Sequence, residues 1–187
     1  MDKNKTIITL TGPSGSGKST IEKILCNKYG LNKAISHTTR DMRLGEVHGI
    51  DYYFVTKEIF NIMEKEGKMA ESIEYNGNNY GVCINELMNS QVIVCEPHGV
   101  LQIKNHMKDT DVNIVSIYIN ISKEDQKYRM TIRGDDYINI VKRIYKDSKL
   151  FKPDPELYDH IITSITNDSF NDNLANFIYN TYFTEIK

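Results

Sequence analysis

Gly12-Pro13-Ser14-Gly15-Ser16-Gly17-Lys18-Ser19 is the stretch on which the fold turns. Its spacing is GxxxxGK[ST], and it stands between a β-branched run, Thr6 to Thr11, and a helix-forming run, Ser19 to Tyr29, with Ile21, Ile24 and Leu25 on one face. Strand, glycine loop and helix in that order are the setting in which this spacing binds phosphate. Gly12, Gly15 and Gly17 permit the backbone turns that aim successive N–H groups at one point, and the next helix N-terminus adds partial positive charge. Ser14, Ser16 and Thr20 complete the expected lining of this anion cradle. Lys18 is placed to neutralise the β and γ phosphates of a nucleoside triphosphate, and the Ser19 hydroxyl to hold Mg2+. The chain has no NKxD segment and no DxxG switch in the expected order, which argues against a Ras-like GTPase.

Working outward, 187 residues suit one domain, with room for a lid or a small subdomain. Lys and Arg total 23 against 25 Asp and Glu, a formal charge of -2, so the overall field favours neither nucleic acid nor an anionic membrane as partner. Cys26, Cys83 and Cys95 have no CxxC spacing and read as structural thiols of a reducing compartment. The polar start, Met1 to Lys5, and the short apolar run behind it fit neither a signal peptide nor a membrane span, and a cytoplasmic protein is expected. Monomer and homodimer are both left open.

Further along, Tyr52 to Val55 reads as a short strand and Lys57 to Lys68 as a helix with Ile59, Phe60 and Met63 apolar. Met69 to Tyr80 reads as two strands joined by the turn signal Asn76-Gly77. A short helix is expected over Ile84 to Met88, a strand over Gln91 to Cys95, a helix over Val100 to Met107 and a strand over Val112 to Ile121. Lys123 to Ser148 reads as two basic helices broken around Gly134 to Asp136, followed by a strand at His160 to Ile165 and a helix at Asp172 to Tyr182. Strands alternating with helices imply an α/β fold with a mainly parallel sheet covered on both faces.

The segment from Ser36 to Val55, containing Ser36, Arg40, Arg43, Gly45, Gly49, Asp51, Tyr52 and Phe54, closely resembles the acceptor-binding signature of guanylate kinases. Two arginines three apart, a serine and tyrosine hydroxyls also suit a doubly charged phosphate monoester on chemical grounds. The resemblance extends to Glu71 and to the run from Tyr75 to Gly81. It implies a P-loop NTPase fold with a β-containing acceptor insertion at about 35–82, a core at about 1–34 and 83–187, and a helical lid at about 124–146. It also implies that Tyr80 joins Ser36, Arg40, Arg43 and Tyr52 on the acceptor phosphate, and that Glu71 takes the guanine edge. A carboxylate suits guanine's adjacent N1–H and N2–H2 donors and rejects the N1 lone pair of adenine.

By the same resemblance Arg129, Arg133 and Arg143 are lid arginines over the transferring phosphoryl group, and Asn167 lies near the adenine of ATP. ATP and Mg2+ are the implied cofactors and a nucleoside monophosphate, GMP or dGMP, the implied acceptor. The chain departs from the family pattern in three places. Position 82 is Val where a hydroxyl is usual, a pair of aspartates is replaced by Val94 and Glu96, and the lid loop Arg133-Gly134-Asp135-Asp136 is one residue short. These departures leave a kinase for another nucleotide or for a sugar phosphate as an alternative. A non-catalytic phosphopeptide-binding module is a second, although such modules have degraded phosphate loops and this loop is intact. His37, His48, His98, His106 and His160 have no metal-ligand spacing and are expected in solvent, loop or capping roles.

Overall fold

A computed structural model describes residues 5–75, 77–165 and 169–184. In chain order its elements are β1 (Thr6–Thr11), α1 (Lys18–Tyr29), β2 (His37–Thr38), β3 (Tyr53–Phe54) and α2 (Lys57–Lys65). Then come β4 (Met69–Tyr75), β5 (Asn78–Cys83), α3 (Ile84–Met88), β6 (Val92–Val94) and α4 (Pro97–Met107). β7 (Asn113–Asn120), α5 (Lys123–Ile132), α6 (Tyr137–Leu150), β8 (His160–Thr163) and α7 (Phe170–Tyr182) complete the described chain.

β1, β6, β7 and β8 form a parallel sheet in the order β6-β1-β7-β8. The two inner strands, β1 and β7, are buried along nearly their whole length, which is why they read as unbroken apolar or β-branched runs. On one face Ile8, Leu10 and Ile117 pack against Ile21 and Leu25 of α1 and Ile178 of α7. Tyr29 and Tyr179 stack at 4.4 Å to join those two helices. On the other face Ile7 and Ile93 meet Leu87 of α3 and Ile103 and Met107 of α4.

A second sheet, in the order β3-β2-β5-β4, is built from the segment around the paired arginines and the hairpin that follows. β4 and β5 pair antiparallel, and Gly77, with φ of 74°, supplies the left-handed turn between them. Asn76, the other half of the expected turn, lies outside the described residues. β2 is only two residues long; it pairs with β5 on one side and β3 on the other, and it was not expected from the sequence. Ala70 of β4 and Val82 of β5 belong to the same buried cluster as Ile7 and Ile93 of the first sheet.

Several boundaries differ from expectation, each for a local reason. α4 begins at Pro97 rather than Val100, because proline at the first helical position has the right φ and loses an N–H that would lack a partner anyway. α2 ends at Lys65 rather than Lys68; Gly67 at φ 64° closes it, with the Lys68 N–H returning to the Met63 carbonyl at 2.9 Å. The short strand expected at Tyr52 to Val55 narrows to Tyr53–Phe54. The break between α5 and α6 is where it was expected: Gly134 turns at φ 87°, and the Asp136 carboxylate caps α6 by accepting from the Asn139 N–H at 3.2 Å. Among the described residues no helix is long and apolar enough to cross a membrane.

Gly12 ties the phosphate loop to the sheet. Its φ is 151°, and a Cβ there would collide with the Ile119 carbonyl oxygen of β7. Gly12→Ala is therefore expected to destabilise the fold by about 2–4 kcal/mol, because backbone must move to admit the methyl. Urea unfolding is the check, with a change under about 0.5 kcal/mol contradicting the close approach.

Candidate active site

The loop after β1 and the first turn of α1 open onto a cavity of about 530 Å³ lined by Ser14, Gly15, Gly17, Lys18, Ser19, Thr20, Arg129, Arg133, Arg143 and Asn171. Gly12 and Ser16 are buried beneath this lining. The Lys18 ammonium is curled over the loop, donating to the carbonyls of Gly12 at 2.6 Å and Pro13 at 2.9 Å. Burial lowers its pKa to about 8, with the charges of Asp147 and Glu96 working the other way. Arg129 reaches back across the loop and donates to the Gly15 carbonyl at 3.0 Å and the Ile165 carbonyl at 2.9 Å. Arg133 and Arg143 converge on Asp135, the latter at 3.3 Å.

A second cavity of about 360 Å³ opens between the two sheets. Ser36, Arg40, Arg43, Tyr52, Glu71, Tyr80 and Glu96, all seven residues expected at the acceptor, line it together with Ile73, Tyr75, Gly81, Val94, Cys95 and Gly99. Arg40 forms a fork-to-fork pair with Glu46, donating at 3.0 and 2.8 Å, and its guanidinium lies over the rings of Tyr52 and Phe54 at 5.5 and 5.6 Å. The Arg43 N–H also donates to Glu46, at 2.8 Å. One carboxylate thus fixes the loop that carries both arginines.

Within this lining Glu71 is buried, only 8% exposed. Burial pushes its carboxyl up to about 7; the Val82 N–H opposes the shift and the Glu96 charge adds to it. A Cβ on Gly99 would come within 3.1 Å of Glu71 Oε2, so glycine in the first turn of α4 leaves space for that carboxylate. Glu96, the N-cap residue of α4, is itself pushed up, first by burial and then by Asp147, while Lys18 opposes.

A family model described as Guanylate kinase matches residues 3–180. The chain belongs to the guanylate kinase family. A guanylate kinase of Oceanobacillus iheyensis is 33% identical over 172 residues, covering 88% of this chain and 82% of its own. One of Mycoplasmopsis pulmonis is 34% identical over 173 residues, covering 87% and 88%. Among solved structures, guanylate kinase from Anaplasma phagocytophilum superposes with a TM-score of 0.68 at 26% identity, covering 97% of this chain and 88% of that one. As a member of the guanylate kinase family the chain is a nucleoside monophosphate kinase on the P-loop fold, and the comparisons do not favour the sugar-phosphate kinase or the non-catalytic module.

Against the guanylate kinase expectations the geometry makes several corrections. Val82 is fully buried in the core cluster beneath the cavity, so the missing hydroxyl is replaced by packing and not by a bare patch in the pocket. Val94 does line the cavity. His37 is not in a solvent, loop or capping role: it is buried in β2, its ring 4.8 Å from that of Tyr53, and burial lowers its pKa. His160 lies in β8 and pairs with the Tyr182 hydroxyl. Cys83 caps α3, and Cys95 faces the acceptor cavity with burial pushing its thiol up, which makes it inert. Asn167, expected near adenine, lies outside the described residues.

Sequence reasoning passed over Glu46, Asp135, Lys146, Asp147 and Asn171. Each is a common surface residue type in a polar stretch. Only Asp147 carried a signal, as a carboxylate four residues from Arg143 on one helix face.

Proposed function

We propose that the chain transfers the γ-phosphoryl group of ATP to GMP or dGMP. The observation carrying this reading is that all seven acceptor candidates meet in one cavity, which a further cavity lined by Gly12, Ser14, Lys18, Tyr75, Val94, Cys95 and Glu96 joins to the phosphate loop. Arg40, Arg43, Ser36, Tyr52 and Tyr80 supply donors for the acceptor phosphate, and the Glu46 fork holds Arg40 in position before any substrate arrives. Glu71 accepts from guanine N1–H and N2–H2. On the donor side Gly15, Gly17, Lys18 and Thr20 hold the ATP phosphates, while Arg133 and Arg143 bring cationic charge to the equatorial oxygens as transfer proceeds. The acceptor oxygen attacks phosphorus in line with the departing ADP oxygen, so the chain's task is alignment and charge neutralisation.

Ser19 at the head of α1 and Glu96 offer hard oxygen atoms suited to Mg2+. Burial first, and the nearby Asp147 charge second, raise the Glu96 pKa, so a cation in this cleft would favour the ionised carboxylate. The described residues contain no cluster of three His, Cys, Asp or Glu, which fits an ion that keeps most of its water and phosphate ligands. When bound, Mg2+ supplies charge neutralisation at the β and γ phosphates. We read residues 1–187 as one domain with its insertion at about 35–82, monomeric or homodimeric, in a cytoplasm whose reducing conditions fit three free thiols.

A panel of nucleoside monophosphates with ATP and Mg2+ tests the acceptor. GMP should be fastest; AMP or CMP exceeding it would overturn the guanine reading. Glu71→Gln is expected to lower kcat/KM for GMP by about 10²-fold while changing KM for ATP by less than about twofold. The sign of the pH dependence follows from burial: Glu71 titrates near 7 and accepts guanine only when ionised. Acidification below about pH 7 should lower kcat/KM for GMP in the parent, beyond the limb that the GMP phosphate contributes, and this extra loss should be missing in Glu71→Gln.

A further inference from the structure

α6 is amphipathic, yet the residues it buries are Ile140 and Asp147. A carboxylate at 7% exposure demands a partner, and Asp147 has one far away in sequence: its Oδ2 accepts from the Ser14 N–H of the phosphate loop at 2.7 Å. Lys18 lies close enough for Asp147 to be the largest opposing charge to its lowered pKa. An acceptor-only anion on a loop N–H, near enough to the loop lysine to be felt by its charge, takes a contact that a phosphate oxygen would make there.

The same helix face carries two more groups into the space between the cavities. Arg143, Lys146 and Asp147, at positions i, i+3 and i+4, line a further cavity of about 360 Å³ together with Gly12, Ser14, Lys18, Tyr75 and Glu96. The Lys146 ammonium rests 3.3 Å from the centre of the Tyr75 ring, on the acceptor hairpin. One face of α6 therefore touches the donor loop through Asp147 and the acceptor sheet through Lys146.

We propose that Asp147 is an internal competitor for the donor phosphates, holding the Ser14 N–H until a nucleotide triphosphate displaces it. The inference rests on the reading of the first cavity as the ATP site. ATP binds with an apparent affinity reduced by the fraction of molecules in which the carboxylate occupies the loop, and releasing the carboxylate frees α6 to move relative to Tyr75. Asp147 is a positioning residue in this scheme; it acts through the loop and takes no part in the transfer.

Calorimetric titration of parent and Asp147→Ala with ATP, tripolyphosphate and AMP, in the presence of a chelator, tests it. Asp147→Ala should bind ATP and tripolyphosphate about three- to tenfold more tightly, with AMP affinity unchanged, because AMP does not reach the γ-phosphate end of the loop. A merely structural aspartate would give weaker binding on removal. If the alanine variant does not fold, Asp147→Asn, which keeps the shape and one acceptor oxygen but loses the charge, is expected to show a gain of the same sign. Unchanged or weaker ATP binding in the folded variant overturns the proposal while leaving the donor site in place. A parent protein that binds neither ATP nor tripolyphosphate overturns the donor-site reading and this proposal with it.

Discussion

Lys18→Ala lowers turnover at least about 10³-fold in a protein that still folds: this is the expected result with the largest effect. The side chain is the only cation among the residues of the phosphate loop, Gly12 to Ser19, and it sits where charge spreads as the phosphoryl group moves. Its structural contribution is smaller. The ammonium satisfies the Gly12 and Pro13 carbonyls, and their loss costs about 1–2 kcal/mol, offset in part because burial already disfavours the charged lysine. Single-turnover kinetics and a thermal melt separate the two effects. Retention of more than about a tenth of parental turnover would remove Lys18 from the transfer step.

Arg40→Ala comes second, with kcat/KM for GMP expected to fall by about 10²- to 10³-fold at saturating ATP. The guanidinium is forked to Glu46 and held over two aromatic rings, so its direction is fixed and its removal leaves the Glu46 carboxylate without its main counter-charge beside the acceptor phosphate. Repulsion then adds to the lost attraction. Arg40→Lys should recover only a minor part, since a single ammonium cannot face Glu46 and a phosphate with the planar fork that both require. An alanine variant within about threefold of the parent would mean that Arg40 serves the loop and not the acceptor.

Features written in contiguous residues were legible before any coordinates. The phosphate loop, the arginine-bearing segment and the break at Gly134 each depend on local backbone geometry, and local geometry is what glycine spacing and periodicity encode. The features missed are those whose meaning comes from distant chain. β2 is two residues long and exists because β5 and β3 flank it, so no periodicity could announce it. Asp147 and Ser14 are 133 positions apart, and the one local signal the aspartate carries, its i, i+4 spacing from Arg143, is equally that of a solvated surface pair. The start of α4 was misplaced because Glu96, Pro97 and His98 read as a polar loop, whereas proline there begins the helix.

Ala70 and Val82 reach from the acceptor hairpin into the apolar layer beneath Ile7 and Ile93. The smaller sheet is consequently rooted and not hung on a tether: its inner end cannot part from the larger sheet without exposing buried methyl groups to water, at about 1 kcal/mol or more for each residue uncovered. Any rocking of this lobe about the nucleotide must pivot at that root and grow toward the Gly77 tip, and heat should melt both sheets in one transition.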